Sequence, residues 1–178
     1  DWSSDVCSSD LVSVNIFFFP RLDVDTFHDG VLYPMALMSS QGASANIDYV
    51  SWYGPLTPFL QGLWLKALGQ NLIALRLHGA CLVLLISYLL YKILLRFLKT
   101  STAFYLTIIW TIGNPLILHP NLPWPDLYLT LLVLILMQVI NGNSNWKFLN
   151  NISFLLTGFL LAMGLLFKIN FILTILCL

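Results

Sequence analysis

The sequence predicts an all-α polytopic membrane protein, a bundle of transmembrane helices with a large first extracytoplasmic loop. Two observations predict it. Hydrophobic residues make up 58% of the 178-residue chain against 9% charged, with a mean hydropathy of +0.84, which leaves too little polar surface to cover a water-facing globule. The apolar residues also fall in long runs instead of the stripes of a soluble amphipathic helix, as lipid-facing helices are written.

The N-terminal eleven residues, DWSSDVCSSDL, show no apolar period and change composition abruptly at Val12. They resemble a translated sequencing-adapter remnant, with a disordered polar tail as the alternative reading. Residues 12–178 read as the N-terminal part of one transmembrane domain. Val12 to Phe19 is apolar and stops at Pro20, which reads as the last turns of a first span.

From about residue 20 to 75 the chain is mixed, with Asp23, Asp25, Asp29 and Asp48 among prolines, glycines and aromatics. This is the expected outer loop, carrying short surface helices. Within it, Pro58 to Leu68 alternates apolar and polar residues at helical spacing and reads as an interfacial helix with Trp64 at headgroup level.

Four spans are expected beyond that loop, at about residues 77–95, 103–118, 127–140 and 152–178. The first matches the length needed to cross a ~30 Å hydrocarbon layer. The second is ended or kinked by Pro115, and His119 to Asp126 (HPNLPWPD) makes a short loop whose prolines forbid a continuous helix. Asn141 to Asn151 is a polar turn. No internal repeat stands out.

Charge supports the topology independently. Every acidic residue of the chain is Asp; beyond residue 11 they fall in the two loops assigned to one side, Asp23, Asp25, Asp29 and Asp48 in the first and Asp126 in the second. Lys92, Arg96, Lys99 and Lys147 occupy the turns on the other side, so the positive-inside rule puts the acidic loops outside the cytoplasm. Arg21, Lys66 and Arg76 are exceptions near the outer face. The expected location is the plasma (inner) membrane, crossed several times.

Asp29, in the string Asp25-Thr26-Phe27-His28-Asp29-Gly30, is the candidate general base, because a carboxylate beside a membrane surface is partly shielded from water and can take a proton from an alcohol. His28 could share a proton, bind phosphate or help hold a divalent ion, although neighbours on an extended segment point apart. The alternative is a solvated loop with Gly30 serving a turn. Asp126, after Trp124-Pro125, either belongs to the site or favours the positive end of a helix dipole. Lys168 interrupts an apolar run, where a central Lys costs roughly 2.5–3.5 kcal/mol. Sixteen residues of helix from Ile152 rise about 24 Å, which would carry it to the outer leaflet, either to meet a lipid phosphate or to snorkel. Arg76 could grip a phosphate bidentately or mark the membrane boundary, and His78 reads as an interhelical polar group.

No nucleotide-binding loop, HExxH, GxSxG or EF-hand pattern is present, so an activated group would arrive on a lipid or another protein. The few basic residues mostly flank spans, which gives nucleic-acid binding no support. Cys81 and Cys177 stand alone in apolar runs without ligand partners at metal spacing.

The order His28-Asp29-Gly30, Tyr33, then YGPLTPFLQGLWLKALGQ from Tyr53 to Gln70 and Arg76 opening an apolar helix resembles the first periplasmic loop and second span of C-type membrane glycosyltransferases, in the group similar to dolichyl-phosphate-mannose protein mannosyltransferases. The resemblance continues through Pro123-Trp124-Pro125-Asp126 and GFLLAMGLLFK, Gly158 to Lys168. It covers the N-terminal part of such enzymes. It implies inverting transfer of a sugar from a polyprenyl-phosphate donor to a lipid, glycan or protein acceptor outside the cytoplasm, with Asp29 catalytic and His28, Tyr53, Arg76, Asp126 and Lys168 contacting substrate. The family's loop motif is usually Asp-Glu followed by Tyr; the second acid is missing here, which leaves a divalent cation open. A transporter or flippase segment and a non-catalytic membrane subunit are the rival readings. A transporter predicts inverted repeats and ionisable groups near the midplane.

Overall fold

A computed structural model describes residues 26–51, 53–117 and 122–141, together with positions 158, 159 and 162. Five helices make up most of it: α1 (Thr26–Ser40), α2 (Leu56–Leu68), α3 (Leu72–Leu94), α4 (Thr100–Ile117) and α5 (Pro125–Asn141). No β-strand occurs among the described residues beyond an isolated bridge between Ala45 and Tyr49.

The expected outer loop is mostly helical. Asp25 to Gly30 was expected as extended chain, yet Thr26 onward winds into α1, and Gly30 serves no turn. Pro34 lies inside that helix, where its ring crowds the carbonyl four residues back; that residue is Gly30. Packing against α2 sustains α1. Gly62 of α2 makes the crossing close: a Cβ there would lie 2.8 Å from Ser40 N and 2.9 Å from Ser39 C.

Both faces of α2 mix polar and apolar residues. Thr57, Pro58, Gln61, Gly62 and Leu65 are buried, whereas Phe59, Leu63 and Leu68 stand exposed. Gly69 ends the helix at φ 110°, in the left-handed region that favours glycine, and its N–H bonds Leu65 O at 2.9 Å.

Two residues later Asn71 starts α3 as an N-cap, its Oδ1 accepting from Ala74 N at 2.8 Å. This cap explains why α3 begins five residues before the expected span at 77. At 23 residues it is the one helix among those described that is long and apolar enough to cross a membrane. Helix α4 has 18 residues and α5 has 17. Seventeen residues rise only about 26 Å, and Thr and Asn dilute the apolar character of α4. The expected span at 152–178 lies almost wholly outside the described residues, as do residues 1–25.

Helices α3 and α5 run in the same direction. Their N-terminal turns meet where Tyr128 packs on His78, and their C-terminal halves meet where Arg96 and Leu89 bond Gln138. The two acid-bearing connections therefore share one end of the bundle and the basic turn after α3 lies at the other. Between α3 and α4, Ser87 and Thr111 hydroxyls pair at 2.7 Å in a buried position. The opposite side of α4 is apolar and open: Tyr105, Leu106, Ile109 and Ile112, at helical spacing, are 38–67% exposed.

Candidate functional site

One core cluster sits at the acidic end, built from Leu32, Met35 and Ala36 of α1, Leu65 of α2, Ala74 and Leu75 of α3, and Leu122. Asp29 occupies the first turn of α1, and Arg76 lies just past the first turn of α3. Their side chains meet beside this cluster: Arg76 Nη2 donates to Asp29 Oδ2 at 2.5 Å, with only 3% and 5% of the two side chains exposed. Two charges so far from water are stable only as a closely bonded pair. Asp29 is thus neither a solvated loop residue nor an open carboxylate, and Arg76 does more than mark a boundary.

Around this pair, polar contacts tie the helices together. Tyr33 Oη donates to Gln70 O at 2.9 Å, and Gln70 Nε2 donates to Ser40 Oγ at 3.2 Å. Gln61 Nε2 reaches from α2 to Pro123 O at 2.8 Å, across 62 positions. Since Gln61 is fully buried, this bond firmly fixes the second connection against the first.

Tyr53 and Asp126 meet at this junction. The Tyr53 ring stands edge-on to Trp124 at 6.2 Å. Burial pushes its phenol above the usual value of 10.0, and the negative charge of Asp126 raises it further. Asp126 itself is exposed in the first turn of α5, after Pro125 at the helix start, where a carboxylate offsets the helix dipole. Asp48 closes a turn, accepting from Ser44 N at 2.7 Å.

His28 lies on α1 one residue before Asp29, in a helix and not the extended segment expected; its side chain lies outside the described residues. Lys168 also lies outside them. His78 is an interhelical group, stacked on Trp64 with centroids 4.7 Å apart and edge-on to Tyr128 at 5.6 Å. Trp64, expected at headgroup level, is turned against this histidine. Its Nε1 is buried and has no acceptor among the described residues.

Sequence reasoning placed Asp29, Arg76, Tyr53 and Asp126 at the same end, but missed the ion pair and the Gln61 contact. No sequence signal linked the two members of the pair, which lie 47 positions apart. Nothing local flagged Gln61. Among the described residues no three His, Cys, Asp or Glu side chains gather as a metal cluster, and Cys81 is a free thiol.

Comparison with protein-family models, with curated proteins and with solved structures yields no match for this chain.

Proposed function

We propose that the chain belongs to a multi-pass membrane protein that transfers a sugar from a polyprenyl-phosphate donor to an acceptor outside the cytoplasm. The observation that carries this reading is the buried Asp29–Arg76 pair at the end where both acidic connections meet. Membrane residence is supported by α3 and by the outer face of α4, where Leu106, Ile109 and Ile112 stand exposed while Thr111 turns inward to pair with Ser87. Water-soluble bundles distribute these groups the other way round.

The pair suggests how such a site would work. A guanidinium that holds a carboxylate can also hold a phosphate, by two parallel N–H···O bonds. When the donor phosphate reaches Arg76 it competes for that guanidinium, and Asp29 Oδ2 is released toward the acceptor. The acceptor oxygen then attacks the anomeric carbon as its proton passes to Asp29, and the bond from that carbon to the phosphate oxygen breaks. The electron pair leaves with the phosphate, whose charge Arg76 and Lys168 stabilise. A single displacement inverts the sugar centre. Tyr53 and Asp126, at the same junction of the two connections, would contact sugar or acceptor hydroxyls; His28 is assigned to the same contact. A divalent cation is not needed for these steps, and the missing second acid of the loop motif leaves one optional.

The depth of the pair also favours a second reading, a non-catalytic membrane subunit in which Asp29 and Arg76 only join α1 to α3. Sugar transfer from labelled polyprenyl-phosphate sugars, measured in membranes containing the protein, separates the two. The catalytic reading expects transfer by the wild type and by Asp25→Asn, and none by Asp29→Asn or by Asp29→Asn/Arg76→Gln, in which no buried charge is left over. Transfer restored in the double variant, or absent from the wild type with every donor, favours the subunit.

A further inference from the structure

Where α3 gives way to α4, Lys92, Arg96, Phe97 and Lys99 all stand exposed. Backbone bonds from Leu95 N to Tyr91 O at 3.0 Å and from Leu98 N to Leu94 O at 2.9 Å carry the helical path past the end of α3, so Lys92 and Arg96 lie one turn apart on one side. Arg96 Nη2 donates to Gln138 of α5, whose amide in turn donates to Leu89 O at 3.4 Å. That contact orients the guanidinium without cancelling its charge, because Gln138 is neutral. Helix α3, the turn and α4 contain no acidic residue, and the one acid of α5, Asp126, stands about three turns from Gln138. We infer that this turn binds the phosphate of a phospholipid whose headgroup carries net negative charge, an inference that rests on the chain's residence in a membrane.

The order of exposed groups on the two helices selects a lipid leaflet over an acidic protein segment. Along α3 toward the turn, one exposed stripe runs Leu85, Tyr88, Lys92 and Arg96; along α4 away from it, the exposed residues run Lys99, Tyr105, Ile109 and Ile112. Each helix therefore places a cation at the turn, a tyrosine about two turns further in, and aliphatic side chains beyond it. This is the depth profile of a leaflet, with phosphates outermost, then the aromatic belt, then hydrocarbon. The rise from Leu85 to Arg96 is about 16 Å, close to half of a ~30 Å hydrocarbon layer. Phe97, 73% exposed, sits among the cations, at the level where aromatic rings meet headgroups. An acidic peptide would match Lys92, Arg96 and Lys99 but leave the adjoining tyrosines and aliphatics in water. An arginine grips phosphate by parallel hydrogen bonds and a lysine as a point charge, and a cationic cluster beside a span favours net-negative headgroups over zwitterionic ones.

The test uses the full chain reconstituted in phosphatidylcholine vesicles, with integration checked by alkaline washing, and a trace of spin-labelled phosphatidylglycerol or spin-labelled phosphatidylcholine. Electron paramagnetic resonance reads the fraction of each lipid immobilised on the protein. The wild type should hold phosphatidylglycerol in preference to phosphatidylcholine, and 1 M salt should weaken that preference. Lys92→Gln/Lys99→Gln, which leaves the contact between Arg96 and Gln138 in place, should lose most of it, and each single variant part of it. Lys66→Gln, which removes an exposed cation of α2, should keep it in full. Equal holding of the two lipids by the wild type, or an undiminished preference in the double variant, overturns the assignment of the turn. Release of the held phosphatidylglycerol by polyglutamate supplied on both sides of the vesicles overturns the choice of a lipid over an acidic protein segment. Wild-type chain released by the alkaline wash overturns both this inference and the membrane reading.

Discussion

Arg76 and Asp29, 47 positions apart, meet through a 2.5 Å hydrogen bond that joins the second turn of α3 to the first turn of α1. The contact makes one unit of two segments that are separate in sequence, a mixed acidic stretch and an apolar helix. Removing one partner strands the other charge away from water, at a typical cost of about 3–5 kcal/mol. Asp29→Asn and Arg76→Gln should each lower the thermal midpoint of detergent-solubilised protein, and the double variant should recover most of the loss. Additive losses in that cycle would show that the pair is not coupled.

Gly62 sets how closely α1 and α2 cross. Alanine there brings a methyl within 2.9 Å of the Ser39 and Ser40 backbone, which cannot move aside as a flexible side chain would. Overpacking of this kind costs about 1–3 kcal/mol. Limited proteolysis should cut Gly62→Ala faster than wild type between α1 and α2, around residues 41–51. Gly30→Ala, whose Cβ meets open space, should be cut at the wild-type rate.

Tyr53 gives the junction of the two connections a pH signature. Its phenol holds its proton above the usual value of 10.0 in the folded protein, through burial and then through Asp126. The folded state therefore binds this proton more tightly than the unfolded chain. Its contribution to stability is complete below about pH 10, and is lost as pH rises through the folded value. The tyrosinate absorbance that disappears in Tyr53→Phe should titrate above that point, and Asp126→Asn should move it down. An unmoved midpoint would separate Tyr53 from Asp126.

Much of this fold was legible in the sequence, for physical reasons that also explain the omissions. The apolar run of α3 is continuous, so its existence and its basic end could be read directly, and only the Asn71 cap hid the first turn. Pro125 and Asp126 announced the start of α5. Helix α1 was not legible, because Asp25, Asp29, Gly30 and Pro34 have turn-like composition and the helix depends on packing against α2. The burial of Gln61 in α2 escaped for a related reason: its partner, Pro123, lies 62 positions away. Of the candidate residues, Asp29 and Arg76 were each singled out, but periodicity and composition carry no information on a pair 47 positions apart.

Everything proposed here requires that the acidic connections lie together on the outer side of a membrane-spanning bundle, and site-directed labelling tests that most directly. With Cys7, Cys81 and Cys177 replaced by serine, single cysteines are introduced in turn at Ile47, Asp126 and Lys99, all exposed positions. Intact cells are then treated with a membrane-impermeant maleimide. The account predicts labelling at 47 and 126 in intact cells, and at 99 only after the membrane is opened. Labelling of all three in intact cells, or of 99 together with either of the others, would contradict it.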